Sequence, residues 1–128
     1  WCTAELGQRG LSTTICQTNI GVSTRKGTLR GLHYQRAPHA EVKIVRCPRG
    51  AVFDVVVDLR PQSPTYLRSH GVELNQDNGL ALYVPEGCAT GYLTLTDDAE
   101  IYYHTSATYN PGAATGVRFN DPAFGIAW

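Results

Sequence analysis

Arg30, His33 and Lys43 stand in two alternating stretches, T-L-R-G-L-H-Y-Q over 28–35 and E-V-K-I-V-R over 41–46. An imidazole titrates near neutrality and accepts a proton at physiological pH. A guanidinium and an ammonium beside it form a cradle for an anion. A histidine near two fixed cations therefore suits removal of a proton from an anionic substrate. Both stretches read as β-strands, on which side chains two apart share a face. Arg30, Leu32 and Tyr34 then share one face, and Gly31, His33 and Gln35 the other. If Arg30 and His33 line one pocket, a bend or bulge is required near Gly31.

The rest of the chain supplies the framework. Residues 13–18 are β-rich, and 28–35 follow. Residues 41–47 alternate and stop at Pro48-Arg49-Gly50. The stretch 51–59, A-V-F-D-V-V-V-D-L, is the strongest strand signal and ends at Arg60-Pro61. Further strands are expected at 70–74, 80–84, 91–96 and 99–105, with a short last one at 117–119. Only 2–10 suits a short helix, with Gly7 and Gly10 ending it early. Many short strands with thirteen glycines and seven prolines predict an all-β sandwich or barrel. Exposed strand edges in such a fold favour closure or a dimer.

The 128 residues suit a single domain, 1–128, with a real hydrophobic core. Eleven basic residues balance eleven acidic ones, so no overall field draws in nucleic acid or a membrane surface. There is no apolar run of about 18 residues and no signal-peptide pattern. The chain holds no methionine and begins at Trp1, so upstream sequence is expected. Cys2, Cys16, Cys47 and Cys88 form no C-x-x-C pair. They read as reduced, buried, small hydrophobes, which favours a cytoplasmic protein.

T-L-R-G-L-H-Y-Q, then K-I-V-R-C-P-R-G-A-V-F-D-V-V-V-D-L-R, S-P-T-Y, G-V-E-L, L-Y-V-P-E-G and N-D-P-A-F-G-I-A-W occur in that order. Together they closely resemble the dTDP-4-dehydrorhamnose 3,5-epimerase family, from about Cys16 to Trp128. The resemblance implies a jelly-roll cupin fold, a homodimer, and no metal or organic cofactor. It implies epimerisation of a dTDP-4-keto-6-deoxyhexose at C3, C5 or both, in deoxysugar or dTDP-rhamnose-type biosynthesis feeding cell-wall polysaccharide or natural-product glycosylation. By motif, His33 is the expected base, Lys43 the cation stabilising the enolate, and Tyr103 the acid that reprotonates from the opposite face. Arg30 and Tyr109 are expected near the diphosphate, and Gln17 and Asn19 at the nucleotide. The chemistry is coherent: removing a proton next to a ketone needs a base at the C–H and a positive group at the developing oxyanion. A diphosphate held by arginine supplies binding energy remote from the reacting carbon.

Taken singly, His33 reads as a core histidine, and Arg30 and Lys43 as solvated strand residues; the motif set reverses that. Tyr102 and Tyr103 are adjacent and face opposite sides, and the motif selects Tyr103. His39, His70 and His104 are expected at the surface. Asp54 and Asp58 share a strand face, read as the open or polar side. Metal-binding cupins use a His-x-His pair and a later histidine; here Tyr34 and Gln35 follow His33, and Thr90 stands where the later histidine falls. Too few ligands remain for a first-row metal.

P-E-G-C-A-T-G-Y also departs from the family's usual P-E-G-F-A-H-G-F, so Thr90 and Cys88 imply a roomier, less basic pocket and leave the sugar open. The family's aspartate partner of the base falls after the G-I-x-W block, beyond Trp128; Asp121 is a weaker alternative. The family's N-terminal strand segment is likewise absent from these residues, so the chain by itself is expected to be poorly active. Two other readings stand beside the epimerase: a non-catalytic dTDP-sugar-binding cupin, and a related keto-sugar isomerase.

Overall fold

A computed structural model describes residues 2–128. A six-residue helix, α1 (Thr3–Gln8), precedes nine strands. These are β1 (Gln17–Ser23), β2 (Leu29–Gln35), β3 (Lys43–Arg49), β4 (Ala51–Asp58), β5 (Ser69–Asn75), β6 (Ala81–Val84), β7 (Cys88–Thr94), β8 (Ala99–Thr105) and β9 (Ala114–Gly116). A short 3-10 turn, Pro122–Phe124, follows. The strands form two antiparallel sheets, ordered β1-β8-β3-β6 and β5-β4-β7-β2-β9. No helix among the described residues is long and apolar enough to cross a membrane.

Registers assign the faces. Side chains opposite one another in an antiparallel pair share a face. Val52 pairs with Thr94, Asp54 with Tyr92, Val56 with Thr90, and Asp58 with Cys88. That row points between the sheets. Across from it stand Lys43, Val45 and Cys47 of β3 and Ile101, Tyr103 and Thr105 of β8. One end of the interior is filled by Val45, Cys47, Val52, Leu74, Ala99 and Ile101. The alternate row of the five-stranded sheet, with Leu32, Val55, Val57 and Ala89, is covered by Phe124, and Val117, Ile126 and Trp128 pack against it. The C-terminal stretch thus seals one sheet's outer face. The filled end is one-sided, and the other end of the interior stays open.

Several expectations change. The first strand is Gln17–Ser23, sharing only its first two residues with 13–18, because seven residues of β8 pair with that segment. The last strand is Ala114–Gly116, paired to His33–Gln35, rather than 117–119. Val117 instead packs in the outer apolar layer. Asp54 and Asp58 do not face an open side: both point between the sheets and are buried at 1% and 6% exposure. Asp58 accepts from Arg60 through both oxygens and from Ser63 and Thr65, which organises the 60–66 loop. That shell holds its carboxyl far below the usual range. Cys47 and Cys88 are buried and all four cysteines are free, but Cys2 and Cys16 are exposed, because the residues before β1 lie outside the sandwich. His39 and His70 are exposed as expected, whereas His104 is half-buried against the Tyr102 ring.

Candidate active site

The open end of the sandwich holds two joined cavities. The outer lobe, about 600 Å³, is walled by Gln17 and Asn19 of β1, Gln35 of β2, Glu41 and Tyr109. The inner lobe, about 240 Å³, is walled by Arg30, Asp54, Thr90 and Tyr92. His33, Lys43 and Tyr103 line both lobes. They come from three strands on two opposing sheets and meet at the junction.

β2 reaches this arrangement by leaving its ladder. Arg30 pairs with Tyr92 and His33 with Thr90, with a register shift between them. On β7 those partners lie two residues apart, so β2 carries one extra residue, a bulge. Arg30 and His33, three positions apart, therefore face the same interior, and Leu32 turns out to the opposite apolar layer. The Arg30 guanidinium donates to Val22 O at 3.1 Å.

The electrostatics suit a base and an acid on opposite walls. Desolvation, then the Lys43 ammonium, holds the His33 imidazole below its ordinary pKa, which favours the unprotonated form that a base needs. Burial first, then the charges of Glu41 and Tyr92, raises the Tyr103 phenol against a smaller opposing effect of Arg30. Lys43 is paired to Glu41 at 3.1 Å. Asp54 is pushed up to about 7, by burial above all, against the Thr90 hydrogen bond and the Lys43 charge. The Thr90 hydroxyl lies 2.8 Å from Asp54 Oδ1 and 3.0 Å from Val55 O.

The outer wall is tied together by amides. Gln17 donates to Asn19 Oδ1 at 2.9 Å and accepts the Tyr109 backbone N–H at 3.0 Å. Gln17, Asn19 and Tyr109 are thus brought together. Arg30 is not on that wall; it lines the inner lobe with Thr90. Asp121 caps the 3-10 turn by accepting from Ala123 N–H at 3.0 Å. Among the described residues no three His, Cys, Asp or Glu side chains are grouped to hold a metal. Glu41, Gln35, Asp54 and Tyr92 are site residues that the sequence reading did not select. Glu41 and Lys43, two apart at the start of a strand, carried a readable signal; the inward turn of Asp54 did not.

Comparison with known proteins fits this geometry. The dTDP-4-dehydrorhamnose 3,5-epimerase of Sinorhizobium fredii is 47% identical over 114 residues, which is 89% of this chain and 58% of that protein. The chain thus spans less than two thirds of that relative's length. A crystal structure of dTDP-4-dehydrorhamnose 3,5-epimerase from Bacillus anthracis with TDP and PPi bound has a TM-score of 0.97 at 36% identity, covering 100% of this chain and 73% of that one. The dTDP-6-deoxy-D-glucose-3,5-epimerase from Legionella pneumophila, in complex with dTDP-4-keto-L-rhamnose, has a TM-score of 0.94 at 33% identity, covering 100% and 68%. The two antiparallel sheets are the cupin-type β-sandwich expected from the motifs. A sequence profile for the dTDP-4-dehydrorhamnose 3,5-epimerases matches residues 1–128 from end to end, and with that match and those likenesses the chain belongs to this family.

Proposed function

We propose that the protein carrying this chain epimerises a dTDP-4-keto-6-deoxyhexose at C3, C5 or both, in deoxysugar biosynthesis of the dTDP-rhamnose type. The observation that carries this reading is the meeting of His33, Lys43 and Tyr103 at the junction of the two lobes. His33 removes the proton next to the ketone. Lys43 stabilises the enolate oxygen. Tyr103, on the opposing sheet, returns a proton to the other face of the ring. The resulting imidazolium and phenolate reset by exchange with water, so the cycle consumes nothing.

Gln17, Asn19 and Tyr109 line the roomier lobe and are proposed to hold the nucleotide end. Arg30 is proposed as the diphosphate contact, and Thr90 as a sugar contact in the inner lobe. A homodimer belongs to the same reading. Its support is edge strand β1, whose outward Ile20 and Val22 are 66% and 52% exposed.

Proton NMR in heavy water, with a dTDP-4-keto-6-deoxyhexose, tests the reading. Deuterium is expected at C3, C5 or both, and which carbon exchanges distinguishes single from double epimerisation. Incorporation at neither carbon overturns the epimerase, and binding of dTDP without exchange would establish the non-catalytic cupin instead.

A further inference from the structure

Glu41 has no role in the scheme above, yet it stands in the site. It lies just before β3, two residues from Lys43. Its Oε1 meets the Lys43 ammonium at 3.1 Å, and the two side chains are only 9% and 15% exposed. Its Oε2 accepts from the Gln35 amide at 3.3 Å. Gln35 is 3% exposed and is anchored in turn, donating to His39 O at 3.0 Å and Thr108 O at 3.3 Å and accepting Asn110 N–H at 2.6 Å. A pair so withdrawn from water is held in place rather than loosely associated. Lys43 also lies within the field of a second carboxyl, Asp54, in the inner lobe. Glu41, not Asp54, is the carboxylate that the structure pairs with this ammonium.

We propose that Glu41 is a positioning residue of the proton-transfer site, holding the Lys43 ammonium at the junction of the lobes and setting a negative charge beside Tyr103. This rests on the epimerase reading. The titratable and charged groups lining the two lobes with Tyr103 are Arg30, His33 and Tyr34 from β2, Lys43 from β3, Asp54 from β4, Tyr92 from β7, Tyr109 from the segment after β8 and Glu41 itself, while β1 presents the neutral Gln17 and Asn19. Glu41 and Tyr92 favour the protonated phenol, and Arg30 favours the phenolate. Removing Glu41 leaves the cations less opposed, so Tyr103 ionises more readily and its acid function is lost at lower pH. The ion pair thus serves both walls. Its cation helps keep His33 unprotonated, and its anion helps keep Tyr103 protonated.

The test is a spectrophotometric titration of the tyrosines in the wild-type protein and in Glu41→Gln, Glu41→Ala and Glu41→Asp, with Tyr103→Phe identifying the Tyr103 signal. In the Gln and Ala variants this phenol is expected to titrate lower by about half to one pH unit, and Glu41→Asp is expected to restore it. The basic limb of the kcat profile moves down with it, and kcat falls about 10- to 100-fold with a smaller change in KM. Circular dichroism selects the folded variants, and carrying both Gln and Ala keeps one available if the other fails to fold. A Tyr103 phenol that titrates as in wild type in a folded Gln or Ala variant overturns the proposal. The titration needs no turnover, so it is read independently of the exchange experiment on which the epimerase itself stands or falls.

Discussion

Gly31 and Gly91 face each other across β2 and β7 so closely that a Cβ on Gly31 would lie 2.5 Å from the Gly91 Cα. A Cβ on Gly91 would in turn lie 2.5 Å from Arg30 O. Gly31 also has φ +127, which side chains of L residues rarely adopt. Two opposed glycines therefore let the strands touch where the bulge turns Arg30 and His33 to one side.

Gly91→Ala is the cleaner probe, because Gly91 has an ordinary backbone. It is expected to push β2 outward, to cost about 1–3 kcal/mol in urea unfolding, and to lower activity through the displaced His33. Wild-type exchange rates in a folded Gly91→Ala protein would show that the close approach does not set the base.

His33→Ala and Tyr103→Phe should fail differently. Without the imidazole, solvent exchange is expected to fall by roughly 10²- to 10⁴-fold while dTDP affinity holds. Without the phenol, deuterium should still enter on the face served by His33, but net inversion should be lost. NMR of the sugar protons separates the two. An equal loss of binding and exchange in His33→Ala would make His33 a binding residue.

Arg30 is the proposed phosphate contact that stands apart from Gln17, Asn19 and Tyr109. Arg30→Ala is expected to weaken dTDP binding by about tenfold or more, with Arg30→Lys recovering only part of it, since an ammonium lacks the paired donors of a guanidinium. Calorimetric titration with dTDP decides this. Unchanged affinity in Arg30→Ala would remove Arg30 from the diphosphate.

Asp54 gives stability a distinctive pH dependence. Its carboxyl is raised from 3.8 to about 7 in the folded protein. Below the unfolded value both states hold the proton and its contribution is fully present. As pH rises toward the folded value the unfolded chain ionises first, so stability falls. Asp58, held low by Arg60, acts in the opposite sense at acidic pH, so the difference between wild type and Asp54→Asn isolates Asp54. Urea unfolding from about pH 4 to 7 should show wild type losing stability relative to Asp54→Asn. Parallel curves would refute the raised carboxyl.

The strand pattern of this protein was largely readable, and for a local reason. The alternation along 51–59 and 99–105 is written in adjacent residues, and β4 (Ala51–Asp58) and β8 (Ala99–Thr105) follow it almost to the residue. The need for a bulge was readable as well, since Arg30 and His33 have opposite parity on a regular strand. β1 was misplaced because its limits depend on how far β8 extends beside it, and β8 is some eighty residues away in sequence. β9 was misplaced because Val117 looks like a strand residue but serves the outer apolar layer.

The site divides the same way. By itself the sequence determined that Arg30, His33, Lys43 and Tyr103 lie on short strands and that Asp54 and Asp58 share a face. Period-2 alternation says which side chains lie together, but it does not say which side is inside. Only the tertiary structure decided that Asp54 turns into the cavity, that Glu41 pairs with Lys43 there, and that His33, Lys43 and Tyr103 from two sheets line both lobes. Those relationships depend on which sheet covers which face, and that is settled by burial across the sandwich rather than by any run of neighbouring residues.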